Sequence, residues 1–141
     1  IWSRFRHDIL KIQSKLAQIY GAGSVVTYFG DTNMADRDNA IARFQDSADP
    51  TRFFVSNPQT GGIGLTLHAS KNLIYYSNDF NLESRVQSED RAHRVGQQNK
   101  VLYVDLVSPN TVDVHIVKTL VSKNKLANIT LGERVLEWLK V

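Results

Sequence analysis

Apolar positions fall in two rhythms along the 141-residue chain. Four short runs are almost continuously apolar and rich in β-branched and aromatic residues. They are VVTYF at 25–29, RFFVS at 52–56, NLIYYS at 72–77 and VLYVDLV at 101–107. A strand covered on both faces has this composition, because neither side of it meets water. The runs predict four such strands, and the opening Ile1-Trp2 predicts the end of a fifth whose start is cut away. Between them the period becomes helical. Phe5, Ile9, Ile12, Leu16 and Ile19 form one apolar stripe at spacings of four and three. Residues 32–46 open on Thr32 or Asn33, both good caps, and turn Ala40, Ile41 and Phe44 inward. LESRVQSEDRAHRVG at 82–96 predicts a third helix closed by Gly96, since glycine tolerates the left-handed conformation that ends helices. TVDVHIVKTLVSK and LGERVLEWLK predict two more, with Leu131, Val135, Leu136, Trp138 and Leu139 as packing positions of the last. SADPT at 47–51 and SKNKLANITLG at 122–132 read as the soft spots of the chain.

Strands alternating with helices at intervals of about 25–30 residues mean βαβ units, right-handed crossovers and a parallel sheet. The expected fold is therefore α/β, a mainly parallel sheet flanked by helices in three layers, in one domain over 1–141 with a helical extension over about 122–141. Ligands of such sheets bind beyond the carboxyl ends of the strands. Two segments there carry chemistry.

The first is NPQTGGIGLTLHAS, after RFFVS. Gly61, Gly62 and Gly64 allow a sharp turn and close approach of backbone to a ligand. Position 67 is leucine, so the dinucleotide fingerprint is incomplete, and GxxxxGK[ST] occurs nowhere in the chain. A tight strand-to-helix turn accounts for this run equally well. The second is QSEDRAHRVGQ at 87–97, after NLIYYS. Arg91 and Arg94 are three apart and share a helix face, with Gln87 one turn earlier. Arginine keeps its charge and binds phosphate in bidentate fashion. Glu89 and Asp90 beside them also fit a plain solvated face.

Composition narrows the classes. There is no cysteine, which excludes disulfides, thiolate metal sites and cysteine nucleophiles. His7, His68, His93 and His115 match no zinc spacing, and no metal ligands are assigned. No run of 18 apolar residues occurs, and IWSRFRHDIL lacks the form of a signal peptide. The absence of an initiator methionine suggests a piece of a longer chain. Seventeen basic residues against 14 acidic give +3, compatible with a polyanion partner without requiring one.

Taken together, TGGIGLTLHAS, YYSNDFN and QSEDRAHRVGQ resemble, in order and spacing, the C-terminal lobe of Swi/Snf-type DNA translocases within helicase superfamily two. DRAHRVGQ is similar to the family's sixth motif. Gln97 stands where RNA-unwinding relatives carry arginine. IWSRFRH resembles the fourth motif, and YFGDTNMADRDNAIARFQD the segment after it, with Arg37 and Phe44 in place. The likeness covers about 1–120. Asp79-Phe80-Asn81-Leu82 departs from the usual Asp-Trp-Asn-Pro, Thr60 from a common alanine and Ser77 from a common aspartate. The compact NPQTGGIGLTL looks more like bacterial or phage members.

The resemblance implies one RecA-like half of a two-lobed ATPase. ATP and Mg2+ would be held mainly by an N-terminal lobe of the same parent protein, whose phosphate loop and Asp-Glu pair are absent here. Arg94 would be the arginine finger, Arg91 its partner, and Gln87 would orient or couple them. Gly62 and Gly64 would approach the nucleotide. Ser3, Arg4, Thr60 and Thr66 would touch the backbone of nucleic acid, duplex DNA foremost. The isolated chain would be inactive. The protein would be intracellular, cytoplasmic if bacterial or phage and nuclear if eukaryotic. Alternatives are an RNA or single-strand helicase lobe, disfavoured by Gln97, a non-catalytic nucleic-acid binding module, disfavoured by the Arg91/Arg94 pair, and a nucleotide-binding metabolic domain, disfavoured by the incomplete fingerprint.

Overall fold

The computed structural model describes residues 1–60, 65–93, 97 and 99–131, the last four by backbone alone. All four expected strands form. They are β1 (Val25–Tyr28), β2 (Phe53–Ser56), β3 (Asn72–Tyr75) and β4 (Leu102–Asp105). β1 pairs with β2 and β3 with β4, both in parallel. Trp2 joins the two pairs. Its N–H donates to the Ile74 carbonyl, and its own carbonyl accepts from Tyr76 N, both at 2.8 Å. On the other side Ser3 N donates to Ser56 O and Ser56 N to Ile1 O. Residues 1–3 thus hold the middle of a parallel order β1, β2, Trp2, β3, β4.

Side-chain alternation builds a core on each face of the sheet. Val25 and Val55 meet Ile9, Ile12 and Leu16 of α1 (Arg6–Tyr20) on one face. Val26, Tyr28, Phe54, Leu73 and Tyr75 meet Trp2, Ala40 and Ala92 on the other, with Ile41 and Phe44 of α2 (Met34–Gln45) packed alongside. Each fully buried aliphatic side chain contributes about 1.5–3 kcal/mol. The two ends of the α1 stripe, Phe5 and Ile19, point outward instead, because α1 crosses only β1 and β2 and its middle alone lies over them. Asn33 is the cap of α2, accepting from Asp36 N at 2.9 Å. Leu102, Leu106 and Val107 are exposed, so VLYVDLV is covered less completely than its composition suggests. β4 ends the row of described strands and has a paired neighbour on one side only.

Two helical expectations change. α3 runs only from Leu82 to Glu89, and residues 90–93 form a turn in place of the rest of the helix. The cause is a competitor for backbone: Leu67 N donates to Arg91 O at 2.8 Å, a carbonyl that a continuing helix would give to the residue four later. The segment 122–132, read as a soft spot between two separate helices, is helical as far as it is described, since α4 spans Val112–Leu131 without a break. Ile116, Leu120 and Asn124, each four apart, continue one buried stripe through it. The helix expected at 131–140, with Trp138, and the cap Gly96 lie outside the described residues. SADPT is a turn tied by Asp49, which accepts from Thr51 Oγ1 and Arg43 Nε. Those bonds hold the Asp49 carboxyl below its ordinary range.

Candidate nucleotide and nucleic-acid edge

The chain meets itself at the carboxyl ends of the strands. After β2, Asn57 donates through Nδ2 to Arg4 O at 2.6 Å and accepts Gln59 N at 2.8 Å, which shapes the turn leading to Thr60. After residue 3, Arg4 N donates to Ser77 Oγ at 2.9 Å. Ser3 is fully buried with its hydroxyl 3.3 Å from that of Ser77, so as placed it steadies this corner and does not face solvent. Arg4 is exposed, and its guanidinium lies 5.2 Å from the Phe5 ring. Thr60 is half-buried beside the turn, and Thr66 is half-buried past the glycines.

The arginine segment docks on the stretch that follows the glycines. Besides the Leu67–Arg91 backbone bond, Arg91 Nη1 donates to Leu65 O at 3.4 Å. Ala92 is fully buried beneath this contact. The half-buried Arg91 therefore stands beside the post-glycine backbone although 26 residues separate it from Leu65. Gln87 does not join it. Its amide donates to Glu83 Oε1 at 3.0 Å along α3, and Arg91 lies beyond the helix end. Arg94, Gly62 and Gly64 lie outside the described residues.

Beneath the edge is a polar centre that sequence reasoning missed. Arg85 has 3% of its side chain exposed and is gripped on three sides. Its Nε donates to Glu89 Oε1 at 2.5 Å, and Nη1 and Nη2 donate to the two carboxylate oxygens of Asp105 at 2.5 and 3.1 Å. Nη1 also reaches Asn78 Oδ1, and Asn78 Nδ2 donates to Asp105. The guanidinium carbon sits 3.4 Å from the centroid of the Tyr75 ring. The Tyr75 hydroxyl meets Ser88 Oγ at 2.7 Å. Burial opposes the charge on Arg85, but the carboxylates of Asp105 and Glu89 hold it above its ordinary pKa. Burial pushes the Glu89 carboxyl up, and Arg85 only partly counters it. The Tyr75 phenol is likewise pushed up by burial. The legible signal was Asp105, a lone charge inside an apolar strand run, with Arg85, Ser88, Glu89 and Ala92 on one helical stripe.

A parallel sheet with helices on both faces, and an Arg91 turn bonded to the backbone of Leu65 and Leu67, define a RecA-like α/β lobe. Residues 1–96 match the model of the helicase conserved C-terminal domain, and the chain belongs to that family. It is 34% identical over 103 residues to the human lymphoid-specific helicase, covering 72% of this chain and 12% of that protein. Against the chromatin-remodeling ATPase INO80 of Emericella nidulans the identity is 32% over 103 residues, 73% of this chain and 6% of the other. Against the ATP-dependent DNA helicase DDM1 of Arabidopsis thaliana it is 29% over 104 residues, 74% and 14%. The fold superposes on the crystal structure of the C-terminal part of the Fun30 ATPase domain with a TM-score of 0.75 and 26% identity, over 84% of this chain and 37% of that one. The resemblance to the C-terminal lobe of Swi/Snf-type enzymes stands on these matches. The chain spans 14% or less of each of these three relatives. They come from an animal, a fungus and a plant, and lend nothing to the expected bacterial or phage source.

Proposed function

We propose that the chain is the second motor lobe of an ATP-driven, nucleic-acid-stimulated translocase acting on duplex DNA, within a longer protein that also carries the first lobe. The observation that carries this reading is the docking of the Arg91 turn on the backbone of Leu65 and Leu67, the stretch that follows the glycine run in sequence. Phosphoryl transfer asks a protein for position and for charge placed against developing charge. Arg94 supplies that charge as the finger, Arg91 stands beside it toward the γ-phosphate, and Gln87 orients the end of α3 that leads to them. Gly62 and Gly64 let the backbone approach the nucleotide. Arg4, Thr60 and Thr66 take DNA phosphates, with Ser3 steadying Arg4 from below. Such contacts are salt-sensitive and largely blind to base sequence. Among the described residues no three His, Asp or Glu side chains converge to hold a metal. Mg2+ would be held with ATP on the first lobe, where it offsets phosphate charge. In a eukaryote the protein works in the nucleus.

The test is ATP hydrolysis by the parent protein with duplex DNA, single-stranded DNA or RNA. Duplex DNA is expected to stimulate most. Arg94→Ala should reduce the stimulated rate by about 10³–10⁵, the range for loss of an arginine finger. Residues 1–141 alone should show no turnover. Greater stimulation by RNA would favour an RNA helicase lobe. An Arg94→Ala protein as fast as wild type would leave a nucleic-acid binding module.

A further inference from the structure

Leu65–Ser70 links the glycine run to β3 without regular secondary structure, yet its backbone is closely held. Two glutamine amides do much of the holding. Gln45, the last residue of α2, donates through Nε2 to Thr66 O at 2.6 Å and accepts Ala69 N at 3.0 Å. Gln97 places its Nε2 3.1 Å from His68 O, 3.2 Å from Ser70 O and 3.2 Å from Ala92 O. Its Oε1 accepts Asn99 N at 3.0 Å. The Leu67 N to Arg91 O bond lies between the two amides, with Leu65 and Leu67 anchored in the core. Gln45 thus ties the segment to α2, and Gln97 ties it to the turn that carries Arg91.

We infer that Gln45 and Gln97 form a two-sided amide clamp that makes residues 65–70 a stiff link between the Thr66 region and the arginine turn. They are positioning residues that transmit engagement of nucleic acid to the arginines. This rests on the function proposed above, and it assigns Gln97 a mechanical role. A primary amide suits the task because it offers two donors and an acceptor on one neutral plane. A carboxylate of nearly the same shape does not. At position 97 it would face three carbonyl oxygens with no donor. At position 45 it would lose Thr66 O but could still accept Ala69 N.

The test uses the longest natural chain containing residues 1–141, as Gln97→Glu, Gln45→Glu and the double variant. Two readouts are taken: steady-state ATPase with a DNA duplex, and hydrogen exchange by mass spectrometry. Gln97→Glu should lower the stimulated kcat about ten-fold or more, with KM for ATP and half-saturating duplex within about two-fold. Gln45→Glu should move the same way by less. The double variant should be no slower than Gln97→Glu, because both open one link. Exchange should rise across 65–70 and 90–93 and stay unchanged in β1. Independent, multiplying losses, a change confined to KM or duplex affinity, or unchanged exchange across 65–70 would overturn the clamp. If the wild type shows no stimulation, the functional reading fails, and exchange alone decides whether the clamp exists. If Gln97→Glu does not fold, Gln45→Glu carries the same test through the acceptor it keeps.

Discussion

Arg85 is a charge in a place where isolated charges are costly, and its partners decide what each substitution does. Removing Arg85 leaves Glu89 and Asp105 facing each other without a cation across a buried gap. Breaking a buried pair in this way costs about 3–5 kcal/mol. Removing the charge of Glu89 is different, because Arg85 keeps its two-pronged bond to Asp105. Burial already raises the Glu89 pKa, so the folded state holds the proton more tightly than the unfolded chain does. The sign follows: over the range just above ordinary carboxylate values the folded state binds more protons, and this group's contribution to stability falls as pH rises. Arg85→Met should therefore lower unfolding free energy by several kcal/mol. Glu89→Gln should change it little near neutral pH and flatten that part of the pH dependence. Urea titrations at several pH values measure both. A Glu89→Gln loss as large as that of Arg85→Met would mean that the Arg85–Glu89 bond, and not the Asp105 fork, anchors the centre.

Helix boundaries show which information is local. α2 begins where its cap says it should, because Asn33 and Asp36 are three residues apart and settle the matter between themselves. Asn33→Ala should cost about 1 kcal/mol, the usual worth of a cap. Asn33→Asp, elsewhere an equal cap, should also destabilise here. Asn33 Nδ2 donates to Asp36 Oδ2 at 2.7 Å, and a second carboxylate would turn that bond into repulsion. Thermal melts of the two variants check both expectations. α3 ends early for a reason no local window contains, since the group that takes the Arg91 carbonyl is Leu67, 24 positions away along the chain. The strands were legible because two-sided burial forces composition. The chemistry of the arginine turn was legible from its residue types, whereas its contact with Leu65 and Leu67 was not. Of the Arg85 centre only Asp105 stood out, a charge inside an apolar run; Arg85, Glu89 and the glutamine amides were not legible, because polar residues in polar runs look solvated until their partners from other elements arrive.

At the scale of the molecule, the sheet is two ladders held together through one short stretch. β1–β2 and β3–β4 exchange no ladder bonds directly; residues 1–3 supply them to both sides. The Trp2 ring is buried within the core that runs beneath both halves, against residues of β1, β2 and β3. Main-chain bonding survives truncation of a side chain, so Trp2→Ala should keep the joint and lose the packing. The expected cost is about 3–5 kcal/mol, as for other buried aromatic truncations. Against a total of about 5–15 kcal/mol for a domain of this kind, that is a large fraction. The unfolding transition should remain single, because the backbone through Trp2 still couples the halves. Trp2→Phe should fall between the variant and the wild type. Urea denaturation followed by circular dichroism separates the possibilities. A lower midpoint with an unchanged slope fits a joint made by backbone and a core made by the ring. Two transitions would mean that the indole itself holds the ladders together, and that either half can fold while the other is open. In that case β2 and the arginine turn after β3 would belong to separable units, and the contact of that turn with Leu65 and Leu67 would depend on this one ring.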